Sequence, residues 1–160
     1  MNIAYLLLGS NVGDRAVQLQ KARELLEQNC GELSQASSVY ETAPWGKSDQ
    51  PEFLNQAVEL RTSLAARQLM RRILKIEKLM GRKRREKFGP RVIDIDILLF
   101  NDETHRYALL QLPHPELQNR RFALLPLADI AGDKMHPVLK KTVRQLLAEC
   151  SDPLPVKPLP

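Results

Sequence analysis

Residues 92–100, VIDIDILLF, alternate their side chains as a β-strand with two unlike faces does. One face would carry Ile93, Ile95, Ile97 and Leu99, and the other Asp94, Asp96 and Leu98. The aliphatic face predicts contact with a hydrophobic core. The opposite face holds two carboxylates one pleat apart, which any fold of this chain must solvate, pair or use.

The segment before this strand, residues 81–91, carries the excess positive charge of the chain. Its charged residues are Arg82, Lys83, Arg84, Arg85, Lys87 and Arg91, with the single acid Glu86. The whole chain has 24 basic and 19 acidic residues and a net charge of +5, so the other residues balance at 18 of each. A local patch of this kind fits a small anionic ligand better than a long polyanion.

The basic segment and the acidic face are adjacent in the chain, and this is the feature that suggests a site. Carboxylate oxygens hold a hard cation such as Mg²⁺, and arginine side chains hold phosphate oxygens. The pattern therefore predicts a site for a polyphosphate with its divalent metal. Two structural alternatives stay open at this point: the basic run as a solvated loop, and the acidic face as a solvated or edge face of a sheet.

The length and composition are those of one globular domain. The chain has 160 residues, of which 43% are hydrophobic and 27% charged, which is enough to bury a sizeable core. We predict a domain at 1–150 and a proline-rich tail at 151–160. Cys30 and Cys150 show no metal-ligand spacing, and the apolar run near the N-terminus is too short for a signal peptide or membrane span. These features predict a cytoplasmic protein with reduced thiols.

The order of elements predicts an α+β fold. We expect strands at 2–8, 33–42, 53–62 and 92–100 and helices at 15–29 and 65–80. This β-α-β-β-α-β order is the ferredoxin-like sandwich, an antiparallel sheet with helices on one face, here followed by extra C-terminal elements. On that arrangement Asp94 and Asp96 would share the free face of the sheet with Asn55.

The remaining segments are less regular. We expect an extended segment at 109–115, helices at 122–131 and 142–150, and an extended or frayed tail with four prolines. The loop at 43–52 is long for a compact domain and is expected to be a lid or binding element. The glycine turn at 9–14 lacks the patterns of phosphate-binding loops, and its first glycine is expected to end the first strand.

Two residues allow both a structural and a functional interpretation. Glu77 lies in the last helical turn, where the helix dipole disfavours an acid. Its structural interpretation is a pairing with polar residues near Ile73 in the helix or with Arg84 beyond the helix end. Its functional interpretation is a position next to the basic loop. His114 stands between two prolines, before Asn119, Arg120 and Arg121. It is either structural or a contact to phosphate.

Taken together, the motifs carry a resemblance to a known family. They are Gly9-Ser10-Asn11, Asn55, Gly89-Pro90-Arg91 with Asp94-Ile95-Asp96, and Pro113-His114-Pro115 followed by Asn119-Arg120-Arg121-Phe122. In this order they resemble the 6-hydroxymethyl-7,8-dihydropterin pyrophosphokinase family of folate biosynthesis. The most specific motif is GPR-x-x-D-x-D-x-x-x-F at 89–100, and the resemblance covers essentially the whole chain up to the tail.

The resemblance implies that ATP transfers pyrophosphate to the 6-hydroxymethyl oxygen of the pterin and that AMP leaves. It implies two Mg²⁺ ions held by Asp94 and Asp96, with Arg82, Arg91 and Asp96 as the catalytic residues. The implied ATP contacts are Glu77, Arg82, Arg84, Arg91, Ile97, His114 and Arg120. The implied pterin contacts are Thr42, Pro44, Trp45, Phe53, Asn55, Phe88, Asp94 and Phe122.

The sequence departs from the family pattern in three places. The basic loop is one residue shorter, which leaves open whether Arg85 or Lys87 takes the third basic role. Phe88 stands where family members often have tryptophan. Leu109 and Gln111 offer fewer polar groups to ATP than some relatives show there. These differences concern affinities rather than the reaction.

Two other functions are compatible with part of this sequence pattern. RNA-binding modules share the ferredoxin-like order, but they need exposed aromatic side chains where this sheet offers Asp94 and Asp96. Another Mg²⁺-nucleotide phosphotransferase, acting on a different alcohol, is opposed only by the pterin-pocket residues. We therefore expect ATP and the pterin as small-molecule substrates, no nucleic acid, no membrane partner, and a monomer.

Overall fold

The sheet of this protein is antiparallel and carries helices on both faces. The computed structural model describes residues 1–44, 49–82 and 90–159. The strands are β1 Asn2–Ser10, β2 Glu32–Ala36, β3 Tyr40–Thr42, β4 Phe53–Thr62, β5 Asp94–Phe100, β6 His105–Tyr107, β7 Leu110–Leu112 and β8 Val156–Pro158. The helices are α1 Arg15–Asn29, α2 Ala66–Leu79, α3 Arg121–Ala131 and α4 Val143–Glu149, with a 3-10 turn at Leu117–Asn119.

Six of the described strands form one sheet in the order β5-β1-β4-β3-β8, and β2 also pairs with β4. The pairs are antiparallel throughout. The two central strands, β1 and β4, align along their whole length, from Asn2 opposite Thr62 to Ser10 opposite Leu54. β6 and β7 form a separate hairpin. In the part of the chain that the structure describes, no helix is long and apolar enough to cross a membrane.

The first hydrophobic core lies between the sheet and the helices α1 and α2. Leu6 and Leu8 of β1 pack there with Leu26 of α1 and with Leu69 and Ile73 of α2, all completely buried. Asp14 begins α1 by accepting a hydrogen bond from the backbone N–H of Val17 at 3.2 Å. The two helices predicted from the 3.6-residue periodicity are therefore present and cover the expected face.

A second hydrophobic core covers the opposite face, where the sequence predicted no helices. Tyr5 and Leu7 of β1 and Ala57 of β4 pack there against Leu124 and Leu127 of α3, and α4 lies on the same side. The prediction of helices on one face only is therefore wrong. Because β1 and β4 are apolar on both faces, each face has to be covered to remove it from water.

An irregularity in β5 changes which way its last residues point. Tyr5 pairs with Leu99 but Leu6 pairs with Ile97, so Leu98 is an extra residue in the ladder. Leu98 and Leu99 both pack in the second core, and Phe100 returns to the first. The prediction that Leu99 shares a face with the three isoleucines is wrong, because this bulge interrupts the alternation.

Other boundaries also differ from the sequence prediction. The strand expected at 33–42 is two strands, β2 and β3, separated where Ser37 bonds the backbone of Ala57. β1 continues through Gly9 to Ser10 instead of ending at Gly9. The strand expected to start at residue 92 begins at Asp94. The tail is extended, and its segment β8 pairs with β3, so that part is not frayed.

Candidate active site

A cavity of about 330 Å³ opens at one end of the sheet and collects most of the predicted site residues. Of the predicted residues, it is lined by Thr42, Phe53, Asn55, Glu77, Arg82, Arg91, Asp94, Asp96, His114, Arg120 and Phe122. Ile97 lines a neighbouring cavity of about 210 Å³ that shares Asp96 and His114 with the first. Pro44 is not a lining residue of either cavity. Trp45, Arg84 and Phe88 lie outside the described residues.

Asp94 and Asn55 face each other across a glycine. Gly9 of β1 is the register partner of Asp94 on β5 and of Asn55 on β4, so the three residues form one row on the cavity face. The Asn55 side-chain amide donates to Thr42 Oγ1 at 2.6 Å, which leaves its oxygen directed along the row toward Gly9. A glycine in the middle of the row keeps the space between the carboxylate and the amide open.

Gly9→Ala tests how much this opening matters. A Cβ at position 9 would lie 2.7 Å from Asn55 Oδ1 and 3.6 Å from the Phe53 ring, so Asn55 would have to give up its present position. We expect about tenfold weaker binding of a ligand that would lie against Asn55, with a smaller change for a ligand bound elsewhere in the cavity. Equilibrium binding titrations with each ligand in turn measure this. The control for a substitution away from the cavity is Ala16→Gly, at an exposed position of α1. Gly13→Ala would not serve, because Gly13 has a φ of +68°, which strains the backbone of any residue with a side chain.

Arg82 is held at the edge of the cavity by two acids. Its Nη1 lies 2.8 Å from Glu77 Oε2 and 3.3 Å from Asp94 Oδ1, and its side chain is only 10% exposed. Glu77 also accepts a hydrogen bond from the backbone N–H of Ile95 at 2.8 Å. Burial raises the pKa of the Glu77 carboxyl and the Arg82 charge opposes that rise. Arg82 lies just beyond the end of α2 and also belongs to the basic segment, so this contact fits both interpretations of Glu77.

Asp96 is half-buried in the cavity and lies close to two other acids. Burial and the neighbouring carboxylates of Asp94 and Glu77 raise the pKa of Asp96 to about 8, against the opposing charges of Arg120 and Arg82. The protein by itself therefore does not fully compensate the negative charge here. The raised pKa also means that this carboxyl exchanges its proton near neutral pH.

The carboxylates fit a divalent cation bound together with a phosphorylated ligand. Asp94 and Asp96 project from one face of β5, and their shared charge is what a Mg²⁺ ion would neutralise. Among residues 1–44, 49–82 and 90–159, no three His, Cys, Asp or Glu side chains form a metal-binding cluster. Mg²⁺ commonly uses one or two carboxylates and takes its other ligands from substrate phosphates and water, so two carboxylates suffice.

The cavity is also lined by His114, Arg120 and Phe122, which come from the segment between β7 and α3 and from the start of α3. His114 Nδ1 accepts a hydrogen bond from the Glu116 N–H at 3.1 Å, which leaves Nε2 as the protonated nitrogen of the neutral ring. Burial and the nearby Arg120 charge lower the pKa of His114 to about 4, so the ring is neutral at physiological pH. The Arg120 guanidinium carbon lies 5.6 Å from the centre of the Phe122 ring, within the range of a cation–π contact.

Some cavity residues were not singled out from the sequence. Leu7, Gly9, Ala43, Met70 and Ile95 also line the cavity. The only signal for Gly9 was its place in the first motif, because the close approach of Asn55 is a tertiary contact.

Asn11, in the same motif, joins the two ends of the site. Its Oδ1 accepts from the Arg91 N–H at 2.8 Å, and its Nδ2 donates to Gln50 Oε1 at 2.9 Å and to the Pro51 carbonyl at 3.0 Å. The glycine turn at 9–14 thus holds the backbone of Arg91, a residue that lines the cavity, through Asn11.

Two carboxylates and several arginines that line one cavity define a class of protein. Phosphoryl transfer depends mainly on positioning and charge neutralisation, and enzymes that transfer phosphoryl groups from a Mg²⁺-nucleotide use this combination of side chains. The family model described as 7,8-dihydro-6-hydroxymethylpterin-pyrophosphokinase (HPPK) matches residues 5–132. The chain belongs to the HPPK family.

Curated relatives and solved structures agree with this assignment. A 2-amino-4-hydroxy-6-hydroxymethyldihydropteridine pyrophosphokinase of Aquifex aeolicus is 46% identical over 93% of this chain and 92% of its own length. The Bacillus subtilis protein of that name is 48% identical over 81% and 78%. A crystal structure of Plasmodium falciparum HPPK-DHPS matches with a TM-score of 0.77 at 23% identity, which is a likeness of fold. The match covers 93% of this chain, which spans only 43% of that longer chain.

Proposed function

We infer that this protein transfers pyrophosphate from ATP to the 6-hydroxymethyl group of 6-hydroxymethyl-7,8-dihydropterin and releases AMP, a step of folate biosynthesis. The observation that carries this inference is the family match across residues 5–132, with relatives of that name at 46% and 48% identity. The cavity supports it independently, because both kinds of group that the reaction needs, carboxylates and arginines, line the same space.

The acidic side of the cavity is the proposed metal and proton-transfer site. Asp94 and Asp96 would hold two Mg²⁺ ions, which when bound neutralise phosphate charge and acidify the attacking hydroxyl. Asp96 is the proposed acceptor of the hydroxyl proton as the oxygen attacks the β-phosphorus. Its place beside Asp94 in the cavity supports this role, and bound Mg²⁺ would lower the raised pKa of the metal-free Asp96 carboxyl, so that it is ionised when substrate is present.

The basic groups are proposed to hold the triphosphate. Arg82, Arg91, His114 and Arg120 all line the cavity, and Arg82 is already paired with Asp94. A neutral His114 would donate from Nε2 to a phosphate oxygen without adding charge. Arg84, outside the described residues, is proposed as a further phosphate contact, and Glu77 and Ile97 as contacts nearer the nucleoside. In this scheme AMP leaves while these groups retain the transferred pyrophosphate.

The pterin is proposed to lie along the Asp94–Gly9–Asn55 row. Asn55 carries both a donor and an acceptor, which suits the amide edge of the pterin ring. Phe122 and Phe88 would stack on the two faces of the ring, and Thr42, Pro44, Trp45 and Phe53 would enclose it. Support comes from the Asn55–Thr42 hydrogen bond, which fixes the orientation of the amide.

The topology, the domain bounds, the oligomeric state and the compartment of the protein are also proposed. We propose the ferredoxin-like topology for the sandwich itself, supported by the order β5-β1-β4-β3, with α3, α4 and β8 as additions. We also propose a cytoplasmic monomer, with a domain at 1–150 and a tail at 151–160. The free state of Cys30 and Cys150 is compatible with a reducing compartment.

The test of the function is the formation of AMP, followed by HPLC. We expect AMP to form from ATP only when Mg²⁺ and hydroxymethyl-dihydropterin are both present, and to stop when EDTA is added. ATP with a different small alcohol is the control for another phosphotransferase. AMP formation that does not depend on the pterin would contradict the proposed substrate, and tight binding of RNA that Asp94→Ala leaves unchanged would favour a nucleic-acid function.

A further inference from the structure

The chain beyond α4 contacts α3 and β3, two elements that each supply a lining residue of the cavity. We call residues 150–159 the C-terminal strap. The strap leaves α4 at Cys150, passes the first residue of α3, and then pairs with β3 as strand β8. Its sequence, rich in proline, predicted only an extended or frayed tail, so its contacts need a separate explanation.

The first contact is a helix cap supplied from a remote part of the chain. Asp152 is 5% exposed, and its Oδ2 accepts a hydrogen bond from the backbone N–H of Arg121, the first residue of α3, at 3.1 Å. Its other oxygen accepts from the Leu154 N–H at 3.0 Å. The residue before the helix, Arg120, has no acceptor atom in its side chain. Asp152 therefore takes the place of an ordinary N-cap, with its negative charge at the favourable end of the helix dipole.

The second contact runs in the opposite direction. The Arg121 guanidinium donates to the backbone carbonyl of Cys150 at 2.7 Å and to that of Asp152. Cys150 directly follows α4, so this cation lies where the carbonyls at the end of a helix favour positive charge. The start of α3 and the end of α4 are thus joined by a carboxylate in one direction and a guanidinium in the other.

The turn of α3 that is capped in this way carries two cavity residues. Arg120 and Phe122 flank Arg121, and they contact each other through the cation–π interaction. Pro126, within α3, has no N–H to donate to the carbonyl of Phe122. The first turn therefore has one fewer bond to the rest of its helix, and the Asp152 cap contributes more to its position than a cap ordinarily does.

The third contact is with β3, the strand that carries the cavity residue Thr42. Val156 of the strap is the register partner of Thr42, and the Leu159 N–H donates to the Val39 carbonyl at 2.9 Å. Thr42 accepts the hydrogen bond that orients Asn55. The strap therefore contacts Arg121, the neighbour of Phe122, and the strand that carries Thr42, and both Phe122 and Thr42 line the cavity.

We propose that the C-terminal strap sets the width of the pterin pocket, with Asp152 as the positioning residue for Phe122. This rests on the proposed function, since it takes Phe122 and Asn55 to be pterin contacts. Asp152 is not a lining residue of the cavity, so removing its carboxylate should weaken pterin binding more than it slows the chemical step.

The experiment compares Asp152→Ala and Asp152→Asn with the wild-type protein. Asp152→Ala is expected to raise the Kd of 6-hydroxymethylpterin, measured by its fluorescence, and the KM of the dihydropterin by about tenfold, with kcat lowered less than threefold. Asp152→Asn retains one acceptor oxygen for the Arg121 N–H but turns its NH2 toward the Leu154 N–H, so it should restore binding in part, to within about fourfold of wild type. Glu149→Ala removes a nearby exposed carboxylate and is the matched control, expected to bind as wild type does.

The outcomes separate this proposal from the proposed function. If wild-type protein forms no AMP, the function is wrong, whereas active wild type with a pterin Kd unchanged in Asp152→Ala overturns the role of the strap alone. A tenfold weakening that Asp152→Asn does not correct even in part also overturns it, because the cap would not be the cause. If Asp152→Ala does not fold by circular dichroism, Arg121→Ala decides: a pterin Kd raised about threefold supports the role, and an unchanged Kd rejects it.

Discussion

Asp96→Ala is expected to lower kcat for AMP formation by about 10³-fold or more while the protein stays folded. The physical reason is that one carboxylate serves two proposed purposes, as a ligand of Mg²⁺ and as the acceptor of the hydroxyl proton. The assay is steady-state AMP production at saturating ATP, Mg²⁺ and pterin. Asp102→Ala, which removes a fully exposed carboxylate, is the control and should leave kcat unchanged.

The same substitution has an expected signature in stability. The folded-state pKa of Asp96 is about 8, so protonation of this carboxyl stabilises the folded state relative to the unfolded state. This contribution to the free energy of unfolding is fully present below the ordinary carboxyl pKa of 3.8. It is lost as the pH rises from there through about 8. At pH 7, without nucleotide or Mg²⁺, Asp96→Ala should therefore have a Tm no lower than wild type. Near-normal turnover, or a protein unfolded at 25 °C, would show that the role assigned to Asp96 is wrong.

Arg82→Ala is expected to lower kcat by about 10³-fold, in the range seen when an arginine at a transferring phosphoryl group is removed. This substitution also leaves the buried Glu77 carboxylate without its nearest cation, 2.8 Å away, so the free energy of unfolding should fall by about 3 kcal/mol. Urea denaturation and the AMP assay measure the two effects separately. Arg71→Ala, on the exposed side of α2, is the control for loss of charge alone.

The double variant Arg82→Ala with Glu77→Gln separates catalysis from stability. Glutamine keeps an oxygen that can accept the Ile95 N–H but needs no cation beside it. Most of the lost stability should return, and the lost rate should not. If rate and stability recovered together, Arg82 would act by holding the fold and not by contacting phosphate.

The position of the carboxylates shows how far a local pattern can be followed. The alternation in β5 predicted that Asp94 and Asp96 share one face, and the register through Gly9 puts Asn55 on that face too. The same rule was wrong at Leu99, since a bulge at Leu98 lets two successive residues enter one core. Period-two patterns predict faces only while the ladder is regular, and a bulge depends on how β5 aligns with β1.

Helix positions were also predictable, but not which faces of the sheet they cover. Capping by Asp14 and the apolar stripe of α2 depend on residues close in the chain, and both helices lie where expected. The packing of α3 against Leu7 and Ala57 joins segments far apart in sequence. It follows from the need to cover both apolar faces of β1 and β4. The predicted β-α-β-β-α-β order accounts for the cover of only one of these faces.

The sequence by itself determined the chemistry of this protein: the family motifs, the excess charge of residues 81–91, and the two aspartates on one strand. These are properties of residue type and spacing, which need no long-range contact to be recognised. Only the tertiary structure decided that Arg82, beside Glu77, also reaches Asp94, that Gly9 keeps the space beside Asn55 open, and that Asp152 caps α3. Each of these is a contact between residues that side-chain packing brings together, and no local period or propensity encodes it.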